Sequence, residues 1–256
     1  MSAAPRFSVV TFGPMIDSEL SRFVLDHYAL PYREERHMFP LGALLCFLRS
    51  GNPRMPLIAG PGVKVTGPRA LVDHEDPICD PQRILVPAEQ PLRTRVEADW
   101  DRFNGELGTF TAQIAYFHLL PHPDIMMEPF TRGVGPLEAR LTPPLYPTLN
   151  WLLVKLLKLQ PELVSDALVM ATRIVDGVDR RIADGRRFLN GDRLTLSDLA
   201  FATSLAPFIL PAGYTAPIPP YDVMPAALRR IMDGFRARPS AALVGRIYAA
   251  RRAPAG

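Results

Sequence analysis

The stretch "VKVTGPRALVDHED" (63–76) runs from a short β-branched segment through Thr66-Gly67-Pro68 into an apolar-periodic one. A strand feeding a helix N-terminus leaves backbone N–H groups unpaired and pointing outward, and such a corner can hold an anion. Here Gly67 and Pro68 bring no hydroxyl or carboxylate to a ligand, and Pro68 has no N–H to give. The turn is either plain punctuation or an anion site stripped of its side chains. Other reactive residue types are sparse. Cys46 and Cys79 are the only cysteines, with no CxxC or Cys/His spacing, so neither a disulfide framework nor a zinc site is expected. His118 and His122 stand four apart, but Pro121 breaks the helix face they would share, and no metal is expected there. Thr195 with Asp198 three residues on forms a capping box, which predicts a firmly started helix and no chemistry by itself.

The elements that must position these residues come from a chain of 256 residues, 48% hydrophobic and 21% charged, which is enough for one large or two small cores. Formal net charge is +3, and Arg229, Arg230, Arg236 and Arg238 alternate with apolar residues at helical spacing. That pattern reads as a solvated helix face, so no nucleic-acid partner is expected. Met1–Ser8 lacks a signal peptide's basic start and apolar run. The most membrane-like stretch, "LNWLLVKLLKLQ", is about half the ~20 residues of a span and carries two lysines. No membrane association and a cytoplasmic location are expected.

"RFSVVTF" reads as a buried strand ended by Gly13-Pro14, and "DSELSRFVLDHYAL" as a helix capped by Asp17 or Ser18. "PYREERHMF" predicts a second strand and "LGALLCFLRSG" a second helix closed by Gly51. "MPLIAG" and "VKVTG" predict a hairpin around Gly60-Pro61-Gly62, and a helix then starts with Pro68 in its first turn. The order is β-α-β-α-β-β-α. "CDPQRILVPAEQP" reads as a linker. Beyond it helices alone are expected, interrupted by the proline-rich 121–148 as an irregular excursion or a broken helix pair.

Four motifs, in order and at suitable separations, carry a family resemblance: "ALPYREE", "NPRMPLI", "FLNGDRLTLSDLAFA" and "MPAALRRIMDGFRARPS". Together they resemble the cytosolic glutathione S-transferase superfamily over both halves of the chain. The resemblance implies an α/β thioredoxin-like N-terminal domain with a mixed four-stranded sheet (1–78), a linker (79–92) and an all-α helical C-terminal domain (93–256). It also implies homodimerisation, and glutathione as co-substrate in the crevice between domains. Met55 would offer backbone N–H and C=O to glutathione, with Pro56 in cis keeping that backbone turned outward.

The same resemblance assigns the opening turn. The family stretch similar to "TGPRALVDH" carries an acid and a serine that hold glutathione's γ-glutamyl carboxylate; here Gly67 and Pro68 stand in their places. Arg69 could pair with that carboxylate or be an ordinary first-turn arginine. A thiol with a pKa near 8.5 needs help to ionise, usually from a Tyr, Ser or Cys near the end of strand one or the start of helix one. Those positions hold Thr11, Met15, Asp17 and Ser18, so Ser18 and Thr11 are the candidate catalytic hydroxyls, with Ser18 as a plain helix cap the rival reading. Asp17 would repel a thiolate. Met15, Phe110, Tyr116, Phe117, Tyr146 and Trp151 are the candidate lining of a cleft for a hydrophobic small molecule. The expected function is conjugation of glutathione, or a related thiol, to a hydrophobic electrophile through a divergent site. The alternative is a non-catalytic ligand-binding or protein-interaction member of the same fold.

Overall fold

The computed structural model describes residues 5–251. Strand β1 (Phe7–Thr11) is buried at every position but Ser8 because it runs inside the sheet, and Val9 and Val10 are fully buried. The sheet order is β2-β1-β3-β4, with β2 (Tyr32–Arg36) parallel to β1, and β3 (Leu57–Gly60) and β4 (Val63–Thr66) joined antiparallel. Helices α1 (Ile16–His27), α2 (Phe39–Ser50) and α3 (Pro68–Glu75) complete a mixed thioredoxin-like unit in the expected order. Gly51, at φ 74°, closes α2 as a left-handed cap.

Helix α1 corrects one expectation. Its N-cap is Met15, and neither Asp17 nor Ser18 caps it. A tight turn in which the Met15 N–H bonds to the Phe12 carbonyl starts the helix early, which places both residues inside the first turn. Past α3 the chain runs through a 3-10 turn (Pro81–Arg83) in otherwise irregular structure. Asp76 fastens that stretch to α1, because its carboxylate accepts from the Tyr28 hydroxyl at 2.6 Å and from the Leu85 and Val86 N–H groups at 2.8 Å each.

The remainder is helical: α4 (Leu92–Trp100), a π-helical segment (Asp101–Leu107), α5 (Gly108–Leu119), α6 (Pro123–Thr131), α7 (Pro136–Leu157), α8 (Pro161–Arg181), α9 (Leu196–Ile209), α10 (Ala226–Arg236) and α11 (Pro239–Ala249). The 121–148 segment is no irregular excursion, since α6 and α7 run through it with Pro129, Pro143, Pro144 and Pro147 inside helices. In α7, Thr142, Tyr146, Leu149 and Leu153 are buried at helical spacing while its three internal prolines face solvent. Burial of that stripe outweighs the backbone hydrogen bonds the prolines cannot donate. α11 was not anticipated, because its apolar residues fall among alanines that carry little periodic signal.

Helix α9 is the centre of this half and is buried along most of its length. The capping box forms: Asp198 Oδ2 accepts from the Thr195 N–H at 2.9 Å and hydroxyl at 2.8 Å, and Oδ1 takes the Leu189 N–H at 2.7 Å. Burial pushes the Asp198 carboxyl up to about 6 against the pull of those donors. The two halves are joined by ionic contacts. Glu138 of α7 accepts from the Met38 N–H at 2.8 Å and lies 2.8 Å from His37 Nδ1. Glu19 of α1, fully buried, binds Arg22 at 2.7 Å, Arg251 at 2.8 Å and the Thr215 hydroxyl at 2.6 Å. Among the described residues no helix is long and apolar enough to cross a membrane.

Candidate functional site

A cavity of about 350 Å³ lies where the β1–α1 corner faces α5. Its space has a local cause. Gly105, Gly108, Ala112 and Ala115 fall at helical spacing on the rod of the π-helical segment and α5, and this row of small side chains leaves room that larger ones would fill. Opposite stand Phe12, Met15, Ile16, Asp17 and Phe39 of the α/β half, with Arg54. Met126 and Pro129 of α6, Leu153 and Leu157 of α7, and Tyr214, Pro217 and Ile218 from the loop after α9 complete the walls. The lining is therefore mostly apolar, with a few polar groups, as in small-molecule clefts generally.

Those polar groups differ in what they can offer. Burial pushes the Asp17 carboxyl up from its ordinary value, while the Arg54 guanidinium and the Asn104 amide hold it back. Asn104 Oδ1 and the Tyr116 hydroxyl are sealed from solvent and lack partners among the described residues. Tyr214, also in the lining, has no hydrogen bond from its hydroxyl among the described residues. Burial first, then the Glu19 carboxylate, raises its pKa, so it stays a protonated donor. Among the described residues Arg54 is the sole Lys or Arg in the lining.

Arg54 also borders the β3 entry. The Met55–Pro56 peptide is cis, as the resemblance implies, and the Pro56 carbonyl accepts from the Gly67 N–H at 2.8 Å. Among the described residues the Met55 N–H and C=O have no hydrogen-bond partner. Gly67 has φ 84° and ψ 156°, a region open essentially to glycine alone, which explains the residue at that turn on backbone grounds. Arg54 Nε lies 4.0 Å from where a Cβ on Gly67 would stand. A cation thus sits beside the corner that lacks acid and serine. Arg69 is turned elsewhere and binds Asp73 at 2.9 Å, one helical turn on.

The structure divides the remaining candidates sharply. Met15 and Tyr116 line the cavity; Phe110, Phe117, Tyr146 and Trp151 do not. Phe110 and Phe117 are half-buried on α5 outside the small-residue row. Tyr146 is buried with its hydroxyl on the Leu120 carbonyl at 2.8 Å, and Trp151 is 61% exposed. Thr11 and Ser18 are fully buried and absent from the lining. The Thr11 hydroxyl donates to Glu34 at 2.6 Å, and that of Ser18 is sealed without a partner. Neither hydroxyl is presented to the cavity. Sequence reasoning missed Arg54, Asn104 and Tyr214. The Gly105–Ala115 row was the available signal for the cavity, and nothing local marked Tyr214.

No family model and no curated protein matches the chain. Solved structures match it along nearly its whole length. A glutathione S-transferase III in apo form is 15% identical at TM-score 0.54, covering 98% of this chain and 99% of its own. The β-etherase LigF from Sphingobium sp. strain SYK-6 is 14% identical at TM-score 0.58, covering 93% and 98%. The glutathione transferase URE2P8 from Phanerochaete chrysosporium, solved with oxidized glutathione, is 16% identical at TM-score 0.57, covering 98% and 97%. The chain has the glutathione S-transferase fold.

Proposed function

We propose that this chain is a glutathione transferase-type protein that takes a hydrophobic, electrophilic small molecule into the cavity between its halves and brings it against a thiol co-substrate, glutathione or a relative. The observation that carries this is adjacency: the α1 start and Arg54, next to Met55–Pro56, both border an apolar cavity. Glutathione fits that edge in part. The Met55 N–H and C=O can pair with an extended peptide. The first-turn N–H groups of Arg69 and Ala70, with the Arg54 guanidinium, can take a carboxylate. Gly67 and Pro68 withhold two donors, and losing one hydrogen bond to a charged group, roughly 1.5–3 kcal/mol, weakens binding ~10–100-fold.

When bound, glutathione supplies the nucleophilic sulfur. This chain's contribution is orientation and field. The α1 N-terminus favours negative charge beside Met15; burial raises the Asp17 pKa, and charge on that carboxyl would oppose a thiolate there. Apolar walls hold the second ligand and exclude water. A homodimer is the assembly this fold resemblance suggests. The test is a thermal shift with millimolar glutathione, together with conjugation of 1-chloro-2,4-dinitrobenzene. A saturable shift with measurable turnover supports the reading; no shift and no turnover above the uncatalysed rate overturns it.

The sealed hydroxyls of Ser18 and Thr11 favour a second reading, non-catalytic capture of hydrophobic ligands in the same cavity. Saturable binding of an apolar ligand without turnover distinguishes it from the first.

A further inference from the structure

We propose that Tyr214 selects the cavity's ligand, its hydroxyl donating a hydrogen bond to a neutral acceptor oxygen, a carbonyl above all, on an otherwise apolar molecule. This rests on the cavity being a ligand site, as both readings above hold, and adds which chemistry it prefers. Three observations converge on this phenol. It lines the cavity, and none of the hydrogen bonds among the described residues uses its hydroxyl, although the loop around it is firmly held. Thr215 donates to Glu19 through its hydroxyl at 2.6 Å and its N–H at 3.3 Å, and the Tyr214 ring meets Tyr248 edge-on at 6.2 Å between centroids. The donor is therefore pre-positioned, so little ordering cost falls on binding.

The neighbouring charges set which acceptor it suits. Glu19 lies on the Tyr214 side with Arg22 bound to it at 2.7 Å, Asp17 lines the cavity itself, and among the described residues Arg54 is the sole Lys or Arg in the lining. A carboxylate at Tyr214 would give up its hydration in a mostly apolar cavity whose lining cation, Arg54, already faces Asp17. A carbonyl would take the phenol's proton-donating side with no charge to bury. A polar donor left without its partner also discriminates against ligands that lack an acceptor, because they leave the phenol desolvated and unpaired.

The experiment uses a shape-matched pair, benzophenone and diphenylmethane, which differ in a carbonyl against a methylene. Their dissociation constants are measured by calorimetry on the full chain and on Tyr214→Phe. The wild type should bind the ketone about 3- to 10-fold more tightly than the hydrocarbon, the worth of one neutral hydrogen bond, and Tyr214→Phe should abolish that preference. Since the hydroxyl holds no protein group, the thermal midpoint should barely move. The carbonyl stretch of bound benzophenone, read by infrared difference spectroscopy, should fall below its value in hexane for the wild type and return towards it in the variant. A preference that survives Tyr214→Phe, or a carbonyl stretch unshifted in the wild type, overturns the assignment. Equal binding of both ligands by the wild type overturns it while leaving the cavity reading intact. Binding of neither overturns the cavity reading, and the assignment with it.

Discussion

Replacing Glu19 with Gln tests the junction that holds the cavity in shape. Glu19 is fully buried, and its two oxygens accept from Arg22 at 2.7 Å, Arg251 at 2.8 Å, the Thr215 hydroxyl at 2.6 Å and, more weakly, the Thr215 N–H and Tyr248 hydroxyl at 3.3 Å each. Glutamine has the same shape, but removes the charge and puts an amide donor where one oxygen received donors. Breaking a buried pair costs about 3–5 kcal/mol. The lower end applies, because Arg22 keeps Glu34 at 3.0 Å and Arg251 keeps Asp26 at 2.7 Å. About 3 kcal/mol corresponds to a fall of roughly 6–12 °C in thermal midpoint for a chain of this size. The same change releases Thr215, so affinity for an apolar ligand at the neighbouring Tyr214 should fall as well. Urea denaturation and ligand titration of both proteins measure the two effects. A loss below about 1 kcal/mol would mean that the neighbouring carboxylates carry the arginines alone and that Glu19 is no hub.

Asp17→Asn should remove a pH-dependent penalty. Burial raises the Asp17 pKa, so the stability this group contributes is full below its unfolded value of 3.8 and is lost as pH rises through the raised folded one. The variant should therefore gain on the wild type as pH climbs from about 4 towards 7, read as urea midpoints across that range; a gap that moves the other way refutes the burial argument. Gly67→Ala forces a side chain onto φ 84°, ψ 156° and should cost about 1–3 kcal/mol, which chemical denaturation would reveal. Asp198→Ala strands the Leu189 and Thr195 N–H groups, and should cost about 2–4 kcal/mol in the same assay.

Local rules reached far along this chain. β-Branched runs, Gly-Pro stops and the Thr195–Asp198 box lie within a few residues of the elements they specify, while the cis bond at Met55–Pro56 was implied by the family resemblance alone. They failed where distant packing outweighed a local signal. The internal prolines of α7 argued for a break, but the buried stripe from Thr142 to Leu153 exists only because other elements cover it. Ser18 looked like a cap or a site hydroxyl until the early turn at Phe12–Met15 placed it inside the helix and under other side chains.

The site divides along the same line. Sequence by itself determined that the turn at Gly67-Pro68 has no hydroxyl or acid to offer, and that small residues recur through "GELGTFTAQIA". Only the tertiary structure decided that Arg54 stands beside that turn, that Arg69 is spent on Asp73, and that Tyr214, nearly two hundred residues from Asp17, faces the same cavity. A residue's type and near neighbours set what chemistry it can do. Which residues meet across a cavity depends on contacts between segments far apart in the chain, and no local pattern records them.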